Sequence, residues 1–170
     1  MATDVPIERS ASPAVSLPHG TLALAGLAAT AGFIHVVATV EHVGVDWELA
    51  VFFALVGAGQ LAAGWRIYRN GTDARLLTLV ALGSVAIAGL WVWSRTTGMP
   101  FGPEAGGVVK VGIGDTVATL LELAFAALAG VILWGGEQRV AWLSGAMGTR
   151  LTFAVLSLAL MMAALGGHEH

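Results

Sequence analysis

The sequence predicts an all-α, polytopic transmembrane helix bundle of five spanning helices with its N-terminus inside, and three observations predict it. The chain of 170 residues is 56% hydrophobic and only 11% charged. With a mean hydropathy of +0.80, it holds more apolar surface than a water-soluble domain can hide. Its apolar residues gather into runs approaching the roughly 20 residues that cross a bilayer, and the connections between the runs carry Lys and Arg unevenly.

Taken in order, residues 1–19 hold Pro6, Pro13 and Pro18 among Ser, Thr and acids and read as a flexible tail. A cleaved signal peptide is the competing reading. It is disfavoured because the apolar run that follows is long and the tail has only Arg9 as a positive charge. The rest, 20–167, reads as one transmembrane domain, with a short His-containing tail at 168–170.

The first span, Leu22 to Val40, encloses His35 and is closed by Glu41 and His42. The second, Trp47 to Trp65, carries Gln60 among Gly57, Gly59 and Gly64. Small residues let helices approach closely, so Gln60 is expected to hydrogen-bond across a contact, with Ser84 as its partner, away from the histidines. The third span, Leu76 to Trp93, is followed by Arg95 and by a connection stiffened by Pro100, Gly102 and Pro103 that is suited to capping a cavity. The fourth, Val111 to Trp134, contains Asp115, Thr119 and Glu122; the fifth, Leu151 to Leu165, contains Met161 and Met162.

Orientation follows from the basic residues. With the N-terminus inside, the inner side carries Arg9, Arg66, Arg69, Arg75, Arg139 and Arg150, and the outer side only Arg95 and Lys110. The acids lean outward, and tryptophans fall at both interfaces: Trp47, Trp91 and Trp93 at one, Trp65, Trp134 and Trp142 at the other. This is the distribution of a multi-pass protein of the cell membrane, whose first partner is the lipid bilayer.

A polar strip is written into the spacing. His35 and His42 stand seven residues apart, about 10 Å along a helix and nearly on one face. Asp115 and Glu122 repeat the step on an antiparallel helix, with Thr119 between them. If the two faces meet, His42 opposes Asp115 and His35 opposes Glu122, since a carboxylate costs about 2.5–3.5 kcal/mol in the bilayer on insertion scales and avoids lipid. Imidazole and carboxylate together suit a transition metal. The expected site is therefore outward-facing and metal-binding or redox-associated, with His35, His42, Asp115 and Glu122 as ligands and copper as the leading metal. Glu41, Arg95, Thr119, Gln60, Met161 and Met162 are its supporting residues, and His168 and His170 lie on the same side. Arg95 is expected to pair with an acid such as Asp115, Glu104 or Glu48; interfacial snorkelling is the alternative.

Three other readings stay open. The strip can be purely structural, a His–carboxylate bond fixing helix packing. It can relay protons in a carrier of a small solute, on a path continuing past Gln60. Or the chain can be a non-catalytic helical subunit of a membrane complex, with other subunits or its own copies as partners.

Several classes are excluded. The chain has no Cys, which removes thiolate ligation, disulfides and thiol catalysis. The scattered basic residues and net charge of -3 give no nucleic-acid footprint. No HExxH, GxSxG or P-loop motif occurs, so a non-enzyme is favoured over an enzyme. A b-type haem held within one chain is not expected, because His35 and His42 share a helix.

The set "EH" at 41–42, "FFALVGAGQ" at 52–60, "WVWSRTTGMPFGP" at 91–103 and "GIGDTVATLLEL" at 112–123 resembles a group of small, uncharacterised bacterial integral membrane proteins. The resemblance covers the first four spans. It implies a helical membrane fold and brings no chemistry with it.

Overall fold

The computed structural model describes residues 20–99, 105–143 and 146–166. The tails at 1–19 and 168–170, and with them His168 and His170, lie outside the described residues, as do Pro100, Gly102, Pro103 and Glu104. Among the described residues five α-helices follow one another: α1 Thr21–His42, α2 Trp47–Asn70, α3 Ala74–Thr96, α4 Ile113–Gly135 and α5 Ala146–Gly166. A short 3₁₀ helix, Glu137–Leu143, joins the last two.

The first four helices are each long and apolar enough to cross a membrane. The fifth expected span falls on α5, in which the apolar stretch among the described residues, Thr152–Met161, is shorter. The fold is thus an all-α, multi-pass membrane bundle.

Local chemistry sets the helix ends. Asp46 starts α2 by accepting from the backbone N–H groups of Glu48 and Leu49, both at 3.1 Å, and Asp73 starts α3 by accepting from Leu76 N–H at 2.9 Å. Gly71 and Gly136 close α2 and α4 with φ of 78° and 73°, a conformation that a Cβ would strain.

The helices run up and down, which gives the bundle two ends. One end, with His42 and the α1–α2 turn, also holds the start of α4. The other, with Arg66, holds the α2–α3 turn and the 3₁₀ helix.

The most extensive packing is between α1 and α2. α3 lies on α4, α1 also meets α4, and α5 rests against both α1 and α4. Consecutive α2 and α3 scarcely touch. Near the Arg66 end Leu24, Ile67, Leu77, Phe125, Ala129, Ile132 and Val140 form one core, bringing four α-helices and the 3₁₀ helix together. A second core of Ala31, Ile34, Ala118, Leu121 and Ala159 joins α1, α4 and α5.

The close α1–α2 approach rests on glycine. A Cβ added at Gly64 would lie 2.9 Å from the Ala25 carbonyl oxygen, and one at Gly57 would lie 3.0 Å from that of Gly32. Only hydrogen fits there.

Candidate functional site

Gly57 brings the middle of α2 against α1, and this places Gln60 beside His35. The His35 Nδ1 lies 2.9 Å from the Ala31 carbonyl oxygen and 3.0 Å from Gln60 Oε1. Two carbonyl-type acceptors facing one ring nitrogen require that nitrogen to carry the proton, so Nδ1–H donates and Nε2 is the ring's other site. The Gln60 amide then turns its Nε2 to Glu122, which accepts through Oε1. The opposite orientation of the amide would set two donors face to face at His35. All three side chains are buried: His35 is 5% exposed, Gln60 8% and Glu122 1%. The triad ties α1, α2 and α4 together in the interior of the bundle.

The face of α1 that carries both histidines meets α2. Phe53 contacts both rings, with centroids 5.8 Å from His35, nearly stacked, and 5.0 Å from His42, tilted. The His42 Nδ1 donates to the carbonyl of Ala38, one turn back, at 2.8 Å. The two α1 positions seven apart, His35 and His42, are thus matched by two α2 positions seven apart, Gln60 and Phe53.

Asp115 belongs to a different cluster. It sits in the first turn of α4, where a carboxylate is favoured by the helix dipole, and it takes a salt bridge from Arg95 of α3. Trp91 Nε1–H donates to the same Asp115 oxygen at 3.0 Å. The Arg95 guanidinium also lies 5.4 Å from the Trp91 ring centre and donates to Ser94 Oγ at 2.6 Å. Thr119 spends its hydroxyl on the Asp115 backbone carbonyl at 2.8 Å. This cluster fastens α3 to α4 at the His42 end.

The geometry corrects the expected metal site. His35 and Glu122 do converge, but through Gln60, and the resulting cluster is buried rather than outward-facing. His42 does not oppose Asp115, because the carboxylate is turned to Arg95 and Trp91 and the imidazole to its own helix. Among the described residues no group of three or more His, Cys, Asp or Glu could hold a metal ion. A copper or other transition-metal site built on His35, His42, Asp115 and Glu122 is therefore overturned, and with it the metal-binding assignment. Of the supporting residues, Glu41 and Met161 are exposed, and the side chain of Met162 is outside the described residues.

Gln60 is corrected as well: its partners are His35 and Glu122, and it is no separate waypoint beyond the histidines. Side chains lean toward the N-terminus of their helix. On antiparallel α1 and α2 that tilt carries His35 and Gln60 toward each other. Counting residues from the helix ends leaves this displacement out. Ser84 is buried on α3 without being Gln60's partner. Phe53 and Trp91 were missed as site residues. The signal for Phe53 was its seven-residue step to Gln60 around Gly57; for Trp91, it was its place one turn before Arg95.

Fold and site together define a multi-pass α-helical membrane protein with a buried His–Gln–Glu triad and a separate Trp–Arg–Asp clamp. Compared with family models, with curated proteins and with solved structures, the chain gives no match in any of the three.

Proposed function

We propose that the chain is a non-enzymatic membrane subunit that works by assembling with another transmembrane helix through α3, its two polar clusters serving to hold the bundle in shape. The observation that carries this reading is the coverage of α3. Only 17% of its most apolar stretch is buried within the chain, against 56% for α1. Leu79, Leu82, Gly83, Ala86, Gly89 and Trp93 follow one another on its exposed side. A Cβ at Gly83 or Gly89 would meet nothing within 4 Å, and small residues on an open apolar face allow a second helix to approach closely. The side chains of the His35–Gln60–Glu122 triad and of the Trp91–Arg95–Asp115 clamp, by contrast, are turned to one another.

The reading includes five spans with the N-terminus inside, supported by the six-to-two distribution of Lys and Arg. The chemistry-free resemblance to small bacterial membrane proteins is in keeping with it.

Because the chain has no Cys, single cysteines report contacts cleanly. A photoreactive benzophenone attached through a maleimide to a single cysteine, irradiated in native membranes, should convert Ala86→Cys into a discrete heavier species, and Val131→Cys on the outer side of α4 should give none. Equal cross-linking at both positions, or at neither, would defeat the assembly reading.

A further inference from the structure

At the Arg66 end, Trp65, Arg66, Arg69 and Asn70 line an open depression of about 380 Å³ on the last turns of α2. All four are exposed. The Arg69 guanidinium lies 5.4 Å from the centre of the Trp65 ring, and Tyr68 packs beside that ring at 6.1 Å. The attraction of a cation to the ring face restrains the guanidinium while its N–H donors remain available. Among the described residues neither Arg66 nor Arg69 forms an ion pair. Among the described residues Asp73 caps α3, and Glu137 accepts from the Thr72 hydroxyl. The result, among the described residues, is a concave patch with two guanidiniums outside any ion pair, a side-chain amide and an aromatic wall.

We infer that this depression binds the phosphodiester headgroup of an anionic phospholipid. Two guanidiniums offering forked N–H donors match phosphate oxygens. A free phosphate ion shares that chemistry, but the surroundings favour lipid. Trp65 and Tyr68 are amphipathic rings of the kind that settle at the headgroup level, and exposed Leu61, one turn before Trp65, continues the wall along the apolar flank of α2, where acyl chains lie. The depression therefore has a polar mouth and an apolar exit on one helix. The site is separate from the two polar clusters and from α3, so it stands or falls independently of the assembly reading.

The experiment uses the full chain in detergent, with native mass spectrometry counting bound lipid after addition of phosphatidylglycerol or phosphatidylcholine. Phosphatidylglycerol should be retained preferentially. Each of Arg66→Gln and Arg69→Gln should lower its apparent affinity roughly fivefold, the weight of one basic residue near an anionic surface, and the double variant should lose the preference. Arg150→Gln, a basic residue at the same end but outside the depression, should change nothing. These substitutions lie on the surface, and an unchanged melting temperature without lipid verifies the fold. A preference that survives the double variant, an equal loss in Arg150→Gln, or inorganic phosphate displacing the lipid at equal concentration would overturn the assignment.

Discussion

Gln60 stands between His35 and Glu122, accepting from the imidazole and donating to the carboxylate. An amide is suited to this place because it presents an acceptor and a donor on opposite sides of one plane. Neither a hydroxyl nor a second carboxylate would present both so far apart. The arrangement makes the two ionisable side chains partners without contact, and the stability of three helices depends on the residue between them.

Replacing Gln60 by Leu should accordingly cost more than removing either end. The carboxylate of Glu122, 1% exposed, would lose its donor, and an unsatisfied buried polar group costs about 1–3 kcal/mol, more when charged. Interhelical hydrogen bonds in membranes average about 0.6 kcal/mol, so His35→Ala should be the milder change. A double-mutant cycle between His35→Ala and Glu122→Gln should show coupling in the parent chain and none in the Gln60→Leu background. Coupling that persists without Gln60 would mean that the two side chains communicate by another route.

Arg95 and Asp115 should behave as a clamp on the His42 end. The pair is partly exposed, at 15% and 30% for the two side chains, so its contribution is moderated by solvent. Arg95→Ala also leaves the Asp115 carboxylate with the Trp91 N–H as its remaining side-chain donor and takes the cation off the Trp91 ring, for an expected loss of about 1–3 kcal/mol. Arg95→Lys should recover only part of it, since an ammonium is a point charge that cannot reach the carboxylate and also keep a planar cation beside the Trp91 ring. Thermal unfolding of the purified variants measures both, and full recovery by Lys would reduce the clamp to a point charge.

Much of the fold was legible in the sequence because lipid imposes a strong rule: a spanning helix must be long and apolar. The starts and stops at Asp46, Asp73, Gly71 and Gly136 are ordinary capping chemistry. The candidate site was legible only in part. The heptad step correctly put His35 and His42 on one face and drew His35 toward Glu122, yet it could not say which helix that face meets. Gly57 and Gly64 decide this by letting α2 close on α1, which brings Gln60 in and commits the histidine face to Phe53. Asp115 was drawn to α3 because Arg95 and Trp91 end that helix at its level, a convergence that only the packing of α3 on α4 reveals.

The proposed orientation makes a direct prediction about the two ends. Gly71, in the α2–α3 turn, should be inside and Gly106, in the α3–α4 connection, outside. Cysteines placed singly at these positions should react with a membrane-impermeant maleimide in intact cells at Gly106→Cys alone. Labelling of both or of Gly71→Cys alone would reverse or break the topology, whereas the internal packing of the helices would be untouched by either result.

Glycines on opposite sides of α2 should respond to the same substitution with opposite signs. In a helix, Gly→Ala normally stabilises by roughly 0.5–1 kcal/mol, because alanine loses less conformational freedom on folding. At Gly59 nothing lies within 4 Å of the added Cβ, so Gly59→Ala should show that gain or no change. At Gly64 the Cβ would fall 2.9 Å from the Ala25 carbonyl oxygen and 3.2 Å from the Ala29 nitrogen. Both are backbone atoms of α1 and cannot rotate away. Gly64→Ala must therefore push α2 off α1, at an overpacking cost of about 1–3 kcal/mol. The displacement should also lengthen the hydrogen bonds between His35, Gln60 and Glu122. Coupling between His35 and Glu122, measured by the same mutant cycle, should then fall in the Gly64→Ala background and persist in Gly59→Ala. Equal coupling in both backgrounds would show that the triad holds its geometry without the close glycine approach.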